Sequence, residues 1–230
     1  MFKSIAALDK AITSCTLCPR LVEWREDVAL TKRKAYADHT YWGKPVTGFG
    51  DPKAEIIIVG LAPGAHGANR TGRIFTGDSS GDFLFSSLHR SGLAKFPFSE
   101  SRRDGQELYR TRILCAVRCA PPDNKPSTEE KAACAPFMAN EIELLMPTVK
   151  VFIALGNFAW TGLFSQLHNM EFDIPTPRPK FGHGVSLTIS SNEGKKIKII
   201  GSYHPSQQNT FTKKLTPSML DGIFKMANKS

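Results

Sequence analysis

Five cysteines stand in the 230-residue chain, and four of them are spaced for chemistry. Cys15 and Cys18 form a C-x2-C pair followed at once by Pro19. Cys119 lies in the run Arg118-Cys119-Ala120-Pro121-Pro122, with fourteen residues between it and Cys134. Four thiolates drawn from two distant segments suit tetrahedral zinc or a 4Fe-4S cluster, and spacing alone does not separate the two. The plainer alternative is that free cysteines are small core residues. The flanking prolines speak against that for these four, whereas Cys115 alternates with the buried face of a strand and reads as core. An odd count also argues against a closed secreted disulfide set and for a reducing compartment.

A second chemical segment runs from Gly60 to Leu84, GLAPGAHGANRTGRIFTGDSSGDFL. It is no phosphate-cradling P-loop, since no Gly-Lys-Ser/Thr follows, and it lacks the dinucleotide fingerprint. Gly60, Gly64 and Gly67 permit a close backbone approach to a ligand. Phe75 can stack on a planar base or simply pack. Asp78 is a base or water-positioning carboxylate, or else the N-cap of the helical pattern that follows. A third unusual segment is Ser202-Tyr203-His204-Pro205-Ser206.

These segments need elements to hold them. Continuous apolar runs predict strands at Ala54–Val59, Arg112–Val117, Val149–Leu155 and Lys196–Ile200. Helices are expected around Asp82–Arg90, from Ser127 to about Leu145, after Thr216-Pro217, and within residues 1–24, where the cysteine pair interrupts the pattern. Alternating strands and helices indicate one α/β domain over residues 1–230 with a mainly parallel sheet. Ligand sites collect at the carboxyl ends of such strands, so three segments, after the first strand (Gly60–Asp78), the second (Cys119–Asn124) and the fourth (His204–Asn209), are expected to meet at one sheet edge.

Composition narrows the class. With 41% hydrophobic residues the chain can bury a full core. Its apolar runs fall far short of the ~20 residues a membrane helix needs, and the first residues, with Asp9 among them, do not read as a secretory signal. Thirty Lys and Arg against 21 Asp and Glu leave +9, which favours an anionic partner, nucleic acid first. Between Ile174 and Lys214, Arg178, Lys180, Lys195, Lys196, Lys198, Lys213 and Lys214 face Glu193 alone, so the charge brackets His204. A solvated basic face is the bland alternative.

Taken together, GLAPGAHGANRTGRIFTGD (Gly60–Asp78), VRCAPPDNKP (Val117–Pro126), SYHPSQQNTF (Ser202–Phe211) and the cysteine order resemble the iron–sulfur uracil-DNA glycosylases of family 5, or type b. The resemblance runs from about Cys15 to the C-terminus. It implies a three-layer α/β/α sandwich around a four-stranded, mainly parallel sheet. It also implies a 4Fe-4S cluster on Cys15, Cys18, Cys119 and Cys134, with zinc the lesser alternative. The implied activity is hydrolysis of the N-glycosidic bond of uracil, and of bases such as hypoxanthine and ethenocytosine, leaving an abasic site for base excision repair. A non-catalytic or product-trapping binder of uracil-containing DNA is the competing expectation. The expected partner is damaged DNA, single- or double-stranded, met by a monomer in a prokaryotic-type cytoplasm, on the nucleoid when bound.

The resemblance also distributes roles. His204 faces the negative charge developing on uracil O2, Phe75 stacks on the flipped base, and the amide of Asn124 pairs with a base edge or holds water. Asp78 orients the attacking water or stabilises the sugar cation, with Asp82 as a nearby competitor. Backbone N–H groups from Ala62 to Gly64 bind O2, and Asn69 lines the pocket. Gln207, Gln208 and Asn209 enter the base stack. Leu61-Ala62-Pro63 offers no polar side chain where better-known uracil glycosylases carry a water-activating Asp or Asn, so a general base in that first motif is not expected.

Overall fold

The computed structural model describes residues 2–229. In chain order its elements are α1 (Ile5–Thr13), α2 (Pro19–Thr31), β1 (Phe49–Gly50), β2 (Ile56–Gly60), α3 (Ala68–Thr71), α4 (Ser79–Arg90), β3 (Thr111–Cys115), α5 (Thr128–Leu145), β4 (Val151–Leu155), α6 (Asn157–Asn169), β5 (Ser186–Ser190), β6 (Lys196–Ser202), α7 (Gln207–Phe211) and α8 (Pro217–Asn228). Local chemistry sets the boundaries. Pro19 opens α2 directly after the cysteine pair, where a missing N–H costs nothing. Ser127 and Glu130 form a reciprocal capping box at the start of α5. Thr216 caps α8, with Pro217 in its first turn.

The strands form one sheet in the order β1-β3-β2-β4-β6-β5. The four predicted strands are there, as the parallel run β3-β2-β4-β6. The expected four-stranded sheet is nonetheless too small: β1 pairs antiparallel with β3 on one flank and β5 antiparallel with β6 on the other, giving six. β1 is only two residues long, and β5 buries little of its side-chain surface. β1 is too short to carry a pattern, whereas β5 alternates Leu187 and Ile189 with Ser and Thr, turning Ile189 into the second core.

Alternate residues of the parallel strands feed two cores. Ile56, Ile58, Ile113, Cys115, Val151 and Ile153 pack against α4 and α8. Ile57, Val59, Leu114, Phe152, Ala154 and Ile199 pack against α5 and α6. This is the three-layer arrangement expected. Cys115 belongs to the first core, where burial pushes its thiol up to about 12. Among the described residues no helix is long and apolar enough to cross a membrane.

The N-terminal helices are tied down by charge. Arg20 of α2 grips Glu130 of α5 through two 2.7 Å hydrogen bonds. Deeper, Glu141 of α5 is fully buried between Arg112 of β3, at 2.6 Å, and Arg118, which donates a short hydrogen bond to its other oxygen. Burial pushes against ionisation of Glu141, but the two guanidinium groups overcome it and hold the carboxyl below its ordinary range. Asp9 of α1 approaches the same Arg112 at 3.7 Å.

Candidate active site and cysteine cavity

The chain runs from β2 to β3 on one side and then crosses back to β4 on the other, which makes the β2/β4 boundary the place where a parallel sheet opens a crevice. A cavity of about 620 Å³ lies there. It is lined by the loop after β2 (Leu61–Gly67), by Phe75 and Asp78, by Asp123 and Asn124 after β3, and by His204, Gln207 and Gln208 after β6. The segments after the first, second and fourth predicted strands thus meet at one edge.

Phe75 and His204 form one wall, with ring centroids 5.7 Å apart and planes inclined by 34°. Phe75 has a backbone φ of +49°, unusual for an aromatic residue, and its ring lies over Gly60: a Cβ there would sit 3.0 Å from the ring. Burial pushes the pKa of His204 down to about 4, so its imidazole is neutral at physiological pH and acts as an uncharged N–H donor. The Asn209 amide donates to the His204 carbonyl at 2.9 Å.

Asp78 is the N-cap that the sequence offered as one reading, and it also lies in the lining. Its Oδ1 accepts the Gly81 N–H at 2.9 Å and caps α4, while the carboxyl borders the cavity. Burial raises its pKa, and the Gly81 and Ser80 N–H groups with the charge of Arg70 offset only part of that. Gly67 packs so tightly on Oδ2 that a side chain at this position would collide with the carboxylate. Asn124 stands at the exposed rim, with a φ of +55°. Ala62 and Gly64 are in the lining, as expected.

Other expectations need correction. Asn69 does not line the cavity: it is buried behind the loop, where its amide donates to the Arg25 carbonyl at 3.1 Å and ties α3 to α2. Asp82 is exposed one turn into α4 and away from the lining, so it does not compete with Asp78. Asn209 turns inward to His204 while only Gln207 and Gln208 border the cavity. The sequence reading also missed Trp24, Arg33, Tyr36 and His66, which lie in the lining too. His66 stood within a motif already singled out. The other three belong to a segment whose approach to the cavity depends on tertiary packing alone.

A second, small and mostly apolar cavity gathers Cys15, Cys18, Cys119 and Cys134 with Leu21, Val22, Val117 and Phe137. Cys18 is also the N-cap of α2. Two N–H donors address the sulfurs: Arg25 Nη1 reaches Cys119 Sγ at 3.0 Å, and the Arg118 backbone N–H reaches Cys134 Sγ at 3.2 Å. Burial pushes the Cys119 thiol up to about 11 against the pull of Arg25, so a bound metal group would have to displace protons. The all-sulfur, apolar donor set fits a thiophilic metal group. Among the described residues no three His, Cys, Asp or Glu are placed to hold a single metal ion.

Comparison with known proteins agrees with this geometry. A family model described as the uracil DNA glycosylase superfamily matches residues 47–227. The type-5 uracil-DNA glycosylase of Mycobacterium tuberculosis is 48% identical over 226 residues, covering 98% of this chain and 81% of its own. The type-5 enzyme of Thermus thermophilus is 46% identical over 214 residues, 93% of this chain and 92% of its own. That of Pyrobaculum aerophilum is 38% identical over 216 residues, 94% and 88%. A cavity built from the loops after β2, β3 and β6, together with likeness over nearly the whole chain, leads to one conclusion: the chain belongs to the uracil-DNA glycosylase superfamily, among its type-5 members.

Proposed function

We propose that this chain excises uracil from DNA by hydrolysing the N-glycosidic bond, leaving the strand intact with an abasic site. The observation that carries the reading is the convergence of Phe75, Asp78, Asn124 and His204 on one cavity at the carboxyl ends of the parallel strands. A base inside a duplex cannot reach such a cavity, so the nucleotide is first extruded, at a cost of a few kcal/mol of unstacking. Phe75 then stacks on the extruded ring. As the bond to the sugar stretches, negative charge grows on the base and positive charge on the sugar. The neutral His204 donates its ring N–H to the developing anion at O2, without the cost of burying a second charge. Backbone N–H groups of the Ala62–Gly64 turn assist at the same oxygen. The Asp78 carboxylate, fixed by its cap on α4, orients the attacking water and stabilises the sugar cation. Asn124 at the rim reads a base edge, and Gln207 and Gln208 enter the vacated stack.

The same chemistry extends to hypoxanthine and ethenocytosine. A volume of about 620 Å³ exceeds what one pyrimidine needs and falls in the ~300–1,000 Å³ range of sites for larger ligands. Cys15, Cys18, Cys119 and Cys134 would hold a 4Fe-4S cluster, zinc being the lesser alternative. When bound, such a group would supply a covalent staple between the N-terminal segment and the loop after β3. The protein would then be brown with broad visible absorption, whereas a zinc form would be colourless.

A labelled uracil-containing duplex, incubated with protein and then alkali, tests the reading. Strand scission in molar excess over protein is the expected result. Gel retardation with no scission would instead identify a non-catalytic binder.

A further inference from the structure

Among the cavity residues that the glycosylase mechanism leaves without a task, His66 is the one held most firmly in place. His66 sits at the tip of the loop after β2, half-buried in the lining, and two buried side chains hold it from opposite ends. At the ring, the Tyr41 hydroxyl lies 3.1 Å from Nδ1. That hydroxyl also accepts the Arg33 backbone N–H at 3.4 Å, which directs its own proton towards Nδ1. In the tautomer in which the hydroxyl donates to Nδ1, the imidazole carries its proton on Nε2 and is a donor there. At the backbone, Arg70 Nε donates to the His66 carbonyl at 2.8 Å, and Arg70 Nη2 reaches the Gly77 carbonyl at 2.6 Å, bracing both arms of the loop. Arg70 in turn stacks 4.0 Å over the ring of Tyr36, another lining residue. Such support is how a protein fixes the direction of a working histidine, because a loop histidine that only fills space needs neither brace.

The surroundings say what this donor is for. Burial, together with the charges of Arg33 and Arg70, lowers the pKa of His66, so the ring is an uncharged donor in a positive field. Phe75 and His204 already supply the wall for the base. Arg33 borders the same cavity from the N-terminal side. A neutral donor flanked by guanidinium groups suits an anionic oxygen better than the edge of a neutral base.

We propose that His66 and Arg33 form a subsite for one DNA phosphate beside the extruded nucleotide, with Tyr41 and Arg70 as positioning residues. The proposal rests on the glycosylase reading and adds the contact that holds the strand while the base is out. A hydrogen bond to a charged oxygen of this kind is worth roughly tenfold in affinity.

Coupling between side chain and phosphate is the test. Duplexes carrying a 2′-fluorinated, uncleavable uridine would be prepared with a neutral methylphosphonate at each phosphate flanking it in turn. Binding by wild type, His66→Ala and Tyr41→Phe would be followed by fluorescence anisotropy. The expected result is that one methylphosphonate costs wild type about tenfold. His66→Ala should lose a similar factor on ordinary DNA yet lose nothing more from that methylphosphonate. Tyr41→Phe, which keeps both rings, should lose less and at the same phosphate. A methylphosphonate penalty equal in wild type and His66→Ala at every position would overturn the proposal, as would wild-type affinity in His66→Ala. Failure of the underlying reading looks different: wild type would leave a natural uracil duplex uncleaved, whatever the binding data show.

Discussion

At the base cavity neither Asp78 nor His204 is part of a salt bridge among the described residues, whereas behind the cysteines the buried Glu141 carboxylate faces two arginines. Asp78 is held by backbone N–H groups and His204 is shifted by burial alone, so each is displaced from its ordinary ionisation towards the neutral form. Glu141, more deeply buried still, moves the opposite way because Arg118 and Arg112 surround it. The contrast separates two uses of charge. In the proposed mechanism, a group that answers a charge developing in the substrate has no ion-pair partner in contact, while the group that fastens α5 to β3 sits between two arginines.

Substitutions should split along the same line. The largest effect is expected from Asp78→Asn. Asparagine still caps α4, so the fold and DNA binding should persist while single-turnover cleavage falls by about 10²–10⁴-fold. Cleavage within tenfold of wild type would remove Asp78 from the chemistry. His204→Ala should follow, with a loss of about 10²–10³-fold in single-turnover rate, the size expected for one donor to a developing anion. An unchanged rate would leave Phe75 and the backbone N–H groups as the whole wall. Glu141→Gln should do the reverse. With two buried arginines stripped of their carboxylate, denaturant unfolding should show a loss of about 3–5 kcal/mol, while the folded fraction keeps its cleavage rate. Equal losses of rate and stability there would erase the distinction between the two regions.

Much of this was legible in the sequence, for reasons that differ by element. The runs at Ile56–Val59 and Val151–Leu155 announce strands because a parallel sheet covered on both faces needs side chains that are apolar throughout. The residues on either side of Ser127 announce a helix start because the capping box is local chemistry. β5 offers a weaker signal that went unread: Leu187 and Ile189 alternate with Ser and Thr over only five residues, as in a half-buried edge strand that pairs with Lys196–Ser202. α6 went unread although Ala159, Trp160, Leu163, Phe164 and Leu167 fall at helical spacing. Its Gly162 and its close succession to the strand masked the change of period. At the site, motif residues after the strands were readable because loop chemistry is concentrated there. Asn69 and Asn209 misled for the same reason. Both lie within motifs, yet each amide is spent on a carbonyl that braces the loop instead of facing the cavity.

The ionisation states of Asp78 and His204 carry the account, and the pH dependence of single-turnover cleavage at saturating protein reads both. In the proposed mechanism the Asp78 carboxylate is the working form, so the rate should fall as pH drops through a pKa lying above the ordinary 3.8 of an aspartate. His204, with its pKa pushed down to about 4, is already neutral well below physiological pH, and the rate should then hold level across pH 6–8 with no step near 6.5. A rate that declines as pH rises through about 6.5, and loses that decline in His204→Ala, would show that the imidazolium is the working species and would contradict the account.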